Sequence, residues 1–223
     1  MNEELNFIEN CVPTASRMAA DERRLQILQI AVRLFSQHGF RGTTTREIAN
    51  AAGVSEAMVF RHFATKQELY AAIIDYKACQ SDFSNLRENF AELIQSKDDF
   101  RVFYTWALNS LNGQAQSPEF LRLMLYSGLE NHELAEKFFE RFLLEIRDFF
   151  GSYIRERQTD GAFRDIDPQI IVRAFLGMIL HHSLNNLLWD KDRRQLELSN
   201  EDAARQFTEI LLRGIKIEEN EKV

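Results

Sequence analysis

Two short helical segments separated by Gly53 constrain the fold more than any other feature of the sequence. Thr44 precedes Glu47 by three residues, which is the spacing of a capping box at the start of a helix. Gly53 tolerates the unusual dihedral angles of a tight turn, and Ser55 offers a hydroxyl cap to a second segment. Two short helices joined by a glycine-containing turn predict a helix-turn-helix. The small and apolar side chains available to pack around the turn are Ile48, Ala49, Ala51, Ala52, Val54, Val59 and Phe63.

Longer helical patterns flank this pair of segments. Residues 19–37 carry apolar side chains at helical spacing, and Gly39 stops that helix. Thr65 offers a further cap, again with a glutamate, Glu68, three residues later, and a long helix follows. The sequence therefore predicts an amino-terminal head of three helices that contains the helix-turn-helix.

Helix breakers are rare along the whole chain. Only 9 glycines and 3 prolines occur among 223 residues, of which 45% are hydrophobic, and no strand pattern is present. We expect an all-α fold in which Gly113 and Pro118 mark a break between helices. The further helices are expected near residues 83–95, 99–112, 119–127, 132–157, 168–189 and 200–216.

The charge distribution is uneven. Residues 17–66 hold eight Lys and Arg against four Asp and Glu, so this segment has a net charge of +4. Because the whole chain has a net charge of −7, the remaining residues together carry −11. A basic end on an acidic body is an asymmetry typical of a nucleic-acid-binding module.

Other classes of protein fit the sequence poorly. Cys11 and Cys79 are far apart and have no metal-ligand spacing, which favours a reduced protein. No apolar stretch is long enough to span a bilayer, and the acidic start MNEEL does not resemble a signal peptide. A cytoplasmic location is the expectation.

The segment around the turn resembles the signature of the tetracycline-repressor-like (TetR) family. The matching residues are GFRGTTTREIA at 39–49, AGVS at 52–55 and FRHF at 60–63, with Lys66 and Leu69 behind them. The resemblance implies a flexible arm over residues 1–18, a DNA-binding domain over 19–68, and a helical domain over 69–223 that dimerises and binds a small ligand.

The resemblance also implies roles for individual residues. Some would meet phosphates or the edge of the groove: Thr43, Thr44 and Arg46. Some would face bases: Ser55, Glu56, Ala57 and Met58. The others would lie at the DNA backbone: Phe60, Arg61, His62 and Lys66. Most of these have a plain structural alternative, since Thr44 and Ser55 are first of all caps, and His62 has a surface histidine as its alternative.

Three residues depart from the family pattern. Phe60 stands where Tyr is usual and lacks a phenolic hydroxyl, and Ala57 stands where Gly is common. Met58 has no donor or acceptor for base edges, although it suits a thymine methyl group. Arg46 and Arg61 are therefore the better candidates for polar readout.

The acidic body carries a helix that is apolar on almost every side, over residues 170–189. Such a helix must be buried on more than one face. We expect it to form a four-helix dimer interface together with the Phe-rich helix over residues 134–154. The alternative is a central helix in a monomer.

Bulky side chains on the inner faces of the body suggest a ligand pocket. His182, Asn185 and Asn186 add a polar group within apolar surroundings, which suits a mostly apolar ligand with one polar end. An ordinary aromatic core is the alternative. The pocket candidates are Phe103, Trp106, Met124, Phe139, Phe142, Phe175, Met178, His182 and Asn186.

The sequence offers no catalytic constellation, metal site or cofactor motif. His181 and His182 are adjacent and point in different directions on a helix, and His132 and Glu133 lack a second histidine at metal spacing. We expect no enzyme but a homodimeric repressor, released from a palindromic DNA operator by a small ligand. The alternatives are a ligand-independent DNA-binding dimer and an interaction scaffold that does not bind DNA.

Overall fold

The computed structural model describes residues 18–80, 86–130 and 133–217. Over these residues the regular secondary structure is helical, with one isolated antiparallel bridge between Phe163 and Lys216. The all-α prediction is confirmed. The predicted arm over residues 1–18 falls outside the described residues except for Met18, which begins the first helix. Among the described helices, none is both long and apolar enough to cross a membrane.

Eleven α-helices and two π-helical turns cover the described residues. The α-helices are α1 Met18–His38, α2 Thr45–Ala52, α3 Glu56–His62, α4 Lys66–Gln80, α5 Leu86–Gln95, α6 Asp99–Gln116, α7 Pro118–Leu129, α8 Glu133–Phe138, α9 Leu144–Thr159, α10 Pro168–Leu184 and α11 Asn200–Ile215. The π-helical turns are Phe139–Leu143, between α8 and α9, and Asn185–Trp189, after α10.

The chain divides into two compact units. The first comprises the described residues of Met1–Ser84 and Glu119–Phe138, and the second those of Asn85–Pro118 and Phe139–Val223. All residues expected to contact DNA lie in the first unit. The domain boundaries expected at residues 19–68 and 69–223 stay predictions.

The core of the first unit is built on α1 and α4. The ring of Phe35 meets the ring of Tyr70 edge-on, with centroids 4.7 Å apart, and Phe40 lies 5.0 Å from the same Tyr70 ring. Phe35 and Tyr70 are fully buried, and burial raises the pKa of the Tyr70 hydroxyl to about 12. This aromatic group anchors the loop between α1 and α2, which leads into the helix-turn-helix.

A polar stripe on α7 binds the same loop. Arg122 Nε and the Tyr126 hydroxyl donate hydrogen bonds, at 3.4 and 3.5 Å, to carbonyls in the last turn of α1. The Glu130 carboxylate accepts one from the backbone N–H of Phe40 at 3.2 Å. Residues four apart share one face of a helix, so a single face of the α7 segment reaches the end of α1. We call this set the α7 stripe: Arg122, Tyr126 and Glu130.

Aromatic side chains form the core of the second unit. Phe150 of α9 lies at the centre of the group, with its ring stacked on Phe103 at 5.5 Å and 5.4 Å from Trp106. Phe175 of α10 meets Phe103 edge-on at 5.2 Å. Edge-on and offset contacts of this kind stabilise a core by about 0.5–1.5 kcal/mol each beyond burial.

A buried ionic network closes one end of this core. The carboxylate of Asp99, at the first position of α6, accepts hydrogen bonds from the Tyr153 hydroxyl and from Arg157 Nε, both at 2.7 Å. Lys216 Nζ lies 3.3 Å from the same carboxylate. Asp99 is only 4% exposed, so each of its partners replaces hydration that the carboxylate lost on folding.

Two helix predictions beyond the helix-turn-helix were wrong in detail. Helix α6 passes through Gly113 and ends at Gln116, because a glycine inside a helix weakens it without ending it. The single helix expected over residues 132–157 is divided by the π-helical turn Phe139–Leu143, and its start at His132 lies outside the described residues. A π-helical turn leaves little trace in the 3.6-residue spacing from which the helix was predicted.

Candidate nucleic-acid interface

The start of α2 is fixed by the expected capping box. The Thr44 hydroxyl accepts from the backbone N–H of Glu47 at 3.2 Å, and the Glu47 carboxylate accepts from the backbone N–H of Thr44 at 2.7 Å. The bond from the Thr44 N–H, and a second one that the Thr44 hydroxyl donates to the same carboxylate at 2.9 Å, lower the pKa of the Glu47 carboxyl. The prediction of a capped helix start at Thr44 is confirmed.

The turn between α2 and α3 also has the expected form. Gly53 adopts a left-handed conformation with φ of 65° and ψ of 33°, and its N–H donates to the carbonyls of Ala49 and Asn50. The Ser55 hydroxyl then accepts from the N–H of Met58 at 3.2 Å and caps α3. The chain therefore reverses within a few residues and places α3 against α2.

Most of the apolar side chains that were expected to pack around the turn face inward. The buried members are Ile48, Ala49, Ala52, Val59 and Phe63, while Ala51 is exposed and Val54 half-buried. The small side chains of α2 allow α3 to cross closely. The opposite face of the pair is left to solvent and holds most of the residues expected to contact DNA.

Most of the expected DNA-contacting residues lie on this outer face. The exposed ones are Thr44, Arg46, Ser55, Glu56, Ala57, Phe60 and Arg61, and the half-buried ones are Met58, His62 and Lys66. Phe60 is the largest apolar group on this face, with 44% of its surface exposed. These residues lie at the start of α2, along α3, and at the first position of α4.

Thr43 is placed differently from the expectation. It is fully buried, and its hydroxyl lies 3.0 Å from the Gly39 carbonyl and 3.3 Å from the Leu34 carbonyl, to which it donates. A hydroxyl bonded inside the fold has no surface to offer a phosphate. Thr43 is therefore a structural residue that ties the loop before α2 to α1.

Lys66 makes cation–π contacts with two aromatic rings. Its ammonium group lies 4.1 Å from the centroid of the Phe40 ring and 6.0 Å from that of Phe35. Burial lowers the pKa of Lys66, while the nearby carboxylates of Glu130 and Glu47 act in the opposite direction. These ring contacts orient the ammonium group, and Glu130 of the α7 stripe supplies one of the negative charges near it.

Basic side chains cluster at the end of α3. Burial lowers the pKa of His62, and the positive charges of Arg61, Arg24 and Arg23 lower it further. The Arg24 guanidinium lies 4.6 Å from the centroid of the Phe63 ring. Arg23 and Arg24 belong to α1 and were not among the residues expected to contact DNA. Because they lie near His62, we add them to the candidate interface. Their proximity to His62 depends on how α1 packs in the folded chain, so the sequence alone does not show it.

A hydrogen bond joins the first residues of the two helices. The Thr45 hydroxyl, at the start of α2, donates to Glu56 Oε1 at the start of α3 over 2.5 Å. Thr45 was absent from the sequence-based site, because the contact spans eleven residues and depends on how α3 crosses α2. The bond fixes one of the few polar groups that the first turn of α3 presents.

The residues expected to line a ligand pocket do not all come together. The buried ones are Phe103, Trp106, Phe142, Phe175 and His182, and the half-buried ones are Met124, Met178 and Asn186. Phe139 is 51% exposed, so it does not line an enclosed cavity. Met124 belongs to the first unit and the others to the second.

The expected polar group near this core is present. His182 is buried, and its Nε2 lies 3.0 Å from Asn186 Nδ2. Burial lowers the pKa of His182, and the charge of Arg193 adds to that effect. Asn185 instead pairs with the exposed His181. Among the described residues, no three His, Cys, Asp or Glu side chains are grouped as metal ligands.

Comparison with known proteins finds a family match within the first unit. Residues 27–73 match the sequence profile of "Bacterial regulatory proteins, tetR family". The transcriptional repressor KstR2 of Rhodococcus jostii is 28% identical over 156 residues, which are 68% of this chain and 73% of that protein. The helix-turn-helix lies within the matched profile.

Solved structures share the helical architecture. NalD of Pseudomonas aeruginosa, a repressor of a multidrug efflux pump, is similar with a TM-score of 0.68 and 21% identity, over 89% of this chain and 98% of NalD. AibR, solved with isovaleryl coenzyme A and operator DNA, gives a TM-score of 0.61 and 22% identity over 85% of this chain and 98% of AibR. The resemblance drawn from the residues around Gly53 is thereby confirmed: residues 27–73 match the TetR family of regulatory proteins, and the solved structures share the helical fold.

Proposed function

We propose that this protein is a transcriptional repressor that binds a palindromic operator through α2 and α3. The observation that carries the proposal is the exposed first turn of α3, held by the Ser55 cap and flanked by the basic cluster of Arg23, Arg24 and Arg61. A recognition helix meets base edges with its amino-terminal residues, while surrounding cations bind phosphates. The +4 charge of residues 17–66 supports this division of labour.

The phosphate contacts are assigned to four side chains. Arg46 and Arg61, which the sequence also made candidates for polar readout, are exposed on either side of the turn and are proposed here as phosphate ligands. Arg24 and Lys66 are oriented by their contacts with aromatic rings. Such contacts set the register of the protein on DNA without reading sequence. Phe60, which lacks a phenolic hydroxyl, contributes only apolar contact beside them.

A homodimer completes the proposal. One face of α10 exposes Ile170, Ala174, Gly177 and Leu180, and Ile170 and Leu180 are 62% and 41% exposed. These positions follow helical spacing, so the exposed apolar stripe is continuous. A second copy packed on this stripe would bury it and would pair two recognition helices with two half-sites.

We further propose that a small, mostly apolar ligand releases the operator. AibR was solved with an acyl coenzyme A, and the second unit of the present chain has an aromatic core beside the buried His182–Asn186 pair. A ligand shifts the equilibrium only if it binds one of two conformations more tightly. A panel of acyl thioesters, fatty acids and aromatic acids should contain compounds that raise the melting temperature and weaken operator binding.

A ligand-independent dimeric DNA-binding protein is the second candidate. The observation in its favour is the direct ring-to-ring packing of Phe103, Trp106, Phe150 and Phe175, which fills the region where the pocket was expected. A panel in which no compound changes either melting temperature or operator affinity would support this candidate.

Selection from random duplexes at low salt tests the DNA-binding proposal. The full chain should enrich a palindrome with half-sites about one helical turn apart. Arg61→Ala should bind the selected operator more weakly, whereas Arg101→Ala, an exposed arginine of the second unit, should bind as the original protein does. If no sequence is enriched, the proposal fails and an interaction scaffold becomes the better account. Repression at an operator requires access to DNA, so the expected cytoplasmic location goes with this proposal.

A further inference from the structure

We infer that Glu56 reads the amino group of a cytosine in the major groove, and that Thr45 is a positioning residue that holds the Glu56 carboxylate for this contact. The inference rests on the proposed function, because it concerns what the first turn of α3 recognises. It adds a base identity to a surface on which Ala57, Met58 and Phe60 offer little polar chemistry.

Geometry places Glu56 at the leading edge of the interface. It is the first residue of α3, its side chain is exposed, and it lies between the Ser55 cap and the small Ala57. The Ser55 hydroxyl accepts the N–H of Met58, so the backbone of this turn is fixed. A carboxylate at this position therefore projects from a rigid turn.

Thr45 restricts the Glu56 side chain further. Its hydroxyl donates to Glu56 Oε1 at 2.5 Å and leaves Oε2 as the open acceptor. Thr45 is half-buried at the start of α2, which is itself fixed by the capping box of Thr44 and Glu47. A long, flexible side chain is thereby held in one orientation, which reduces the entropy lost when it binds.

The chemistry of a carboxylate narrows its partner on DNA. An ionised carboxylate only accepts hydrogen bonds, and phosphate oxygens also only accept, so Glu56 cannot bind the DNA backbone. In the major groove its favoured partner is the N4 amino group of cytosine, whereas adenine is read by amide side chains. The negative charge also disfavours operators in which the base that faces Glu56 has no amino group.

The surroundings do not neutralise Glu56. Among the described residues, no Lys, Arg or His lies within ion-pair distance of its carboxylate, although Arg46 and Arg61 are exposed on the same outer face. The basic cluster instead gathers around His62 at the other end of α3. Glu56 is thus free to meet a base while the arginines meet phosphates.

Two substitutions of Glu56 test the base contact. Operators should be selected with the full chain and then measured for binding with each of the four bases at every half-site position. We expect one strongly preferred cytosine per half-site. Glu56→Ala should reduce that preference about tenfold, the scale of one good base contact, and leave the other positions unchanged. Glu56→Gln should move the preference toward adenine.

Thr45 is tested by removing and restoring its hydroxyl. Thr45→Val keeps the shape and should weaken the same cytosine preference, while Thr45→Ser should restore it. For the Glu56 substitutions, Glu92→Gln at an exposed glutamate of α5 controls for the loss of one negative charge. If Thr45 had a purely structural role, Thr45→Val would lower the affinity for all sequences equally and would not change the base preference at one operator position.

The outcomes separate this inference from the proposed function. If the original protein enriches no sequence, the proposed function fails. If it enriches a palindrome but Glu56→Ala keeps every base preference, Glu56 does not read a base and the inference is overturned. If Glu56→Ala behaves as expected but Thr45→Val matches the original protein, the positioning role of Thr45 is overturned.

Discussion

The carboxylate of Glu130 accepts a hydrogen bond from the backbone N–H of Phe40 at 3.2 Å. The preceding residue, Gly39, has φ of 71°, and a Cβ added to it would lie 2.6 Å from Glu130 Oε1. The end of the α7 stripe is therefore in close contact with the loop between α1 and α2. The left-handed backbone favours a glycine there, and a Cβ at this position would displace the Glu130 carboxylate.

Gly39→Ala should consequently cost more stability than Gly53→Ala. Gly53 has φ of 65°, but a Cβ added to it would meet nothing within 4 Å, so its substitution measures only the left-handed strain, about 1–2 kcal/mol. Gly39→Ala adds to a similar strain the displacement of the Glu130 carboxylate, which weakens its hydrogen bond with the Phe40 N–H. Combining Gly39→Ala with Glu130→Ala should relieve the clash but lose the Phe40 bond. Urea unfolding of these variants measures this, and equal costs for both glycines would contradict the close approach.

Lys66 and Lys77 form a matched pair of lysines on aromatic rings. Their ammonium groups lie 4.1 Å from Phe40 and 5.4 Å from Phe120. Substituting either with Met should cost about 0.5–2 kcal/mol of stability, the range of cation–π contacts between exposed and desolvated sites, because both lysines are half-buried. Only Lys66→Met should flatten the dependence of operator affinity on salt, by about 0.9 for one lost phosphate contact. An unchanged slope for Lys66→Met would leave Lys66 with a structural role alone.

His62 should make operator affinity depend on pH. Burial and the neighbouring arginines hold its pKa below the usual value, so it is neutral in the free protein at pH 7. A phosphate contact would raise that pKa in the complex. Affinity should therefore rise as the pH falls through the pKa of the complex toward that of the free protein. Fluorescence anisotropy at constant salt measures the effect. His62→Gln should abolish the rise, and His181→Gln, in the second unit, should not.

Asp99 should control acid stability. Burial alone would raise its pKa, but hydrogen bonds from Arg157 and Tyr153 outweigh burial and hold the pKa below the usual value. Its contribution is present above the unfolded pKa of about 3.9 and is lost as the pH falls through the folded pKa. Asp99→Asn should cost about 3 kcal/mol at pH 7.

The matched control for Asp99 is Asp160. Asp160 also accepts from Arg157 Nη1, at 2.7 Å, but its side chain is 30% exposed. Asp160→Asn should therefore cost less, because water replaces its lost partners. Chemical unfolding at several pH values compares the two. A flat acid limb for Asp99→Asn, beside a steep one for the original protein, is the expected signature. Equal stability losses would argue against the buried network.

The parts of the site that the sequence predicted are set by local chemistry. The capping box of Thr44 and Glu47 spans three residues, and the turn at Gly53 needs a residue that accepts a left-handed conformation. Such signals can be read directly from spacing. The helical periodicity of the buried faces is local in the same sense, which is why the all-α fold was also predictable.

The parts that the sequence did not predict depend on packing between distant residues. Thr43 has the residue type of a phosphate ligand, but the fold places its hydroxyl on carbonyls of α1 and the following loop. The Thr45–Glu56 bond and the gathering of Arg23 and Arg24 around His62 require the crossing of separate helices. Phe139 fits the pattern of a pocket residue, because a helical pattern does not show which aromatic side chains stay exposed.

Protection of guanine N7 from methylation on a selected operator tests the central claim most directly, because this atom lies in the major groove. If α3 of each subunit enters that groove, the protein should protect two segments about 10 base pairs apart on one face of the duplex. Arg61→Ala should weaken both segments equally. Full binding without protection in the major groove, or protection of a single segment, would contradict the account of a dimeric helix-turn-helix repressor.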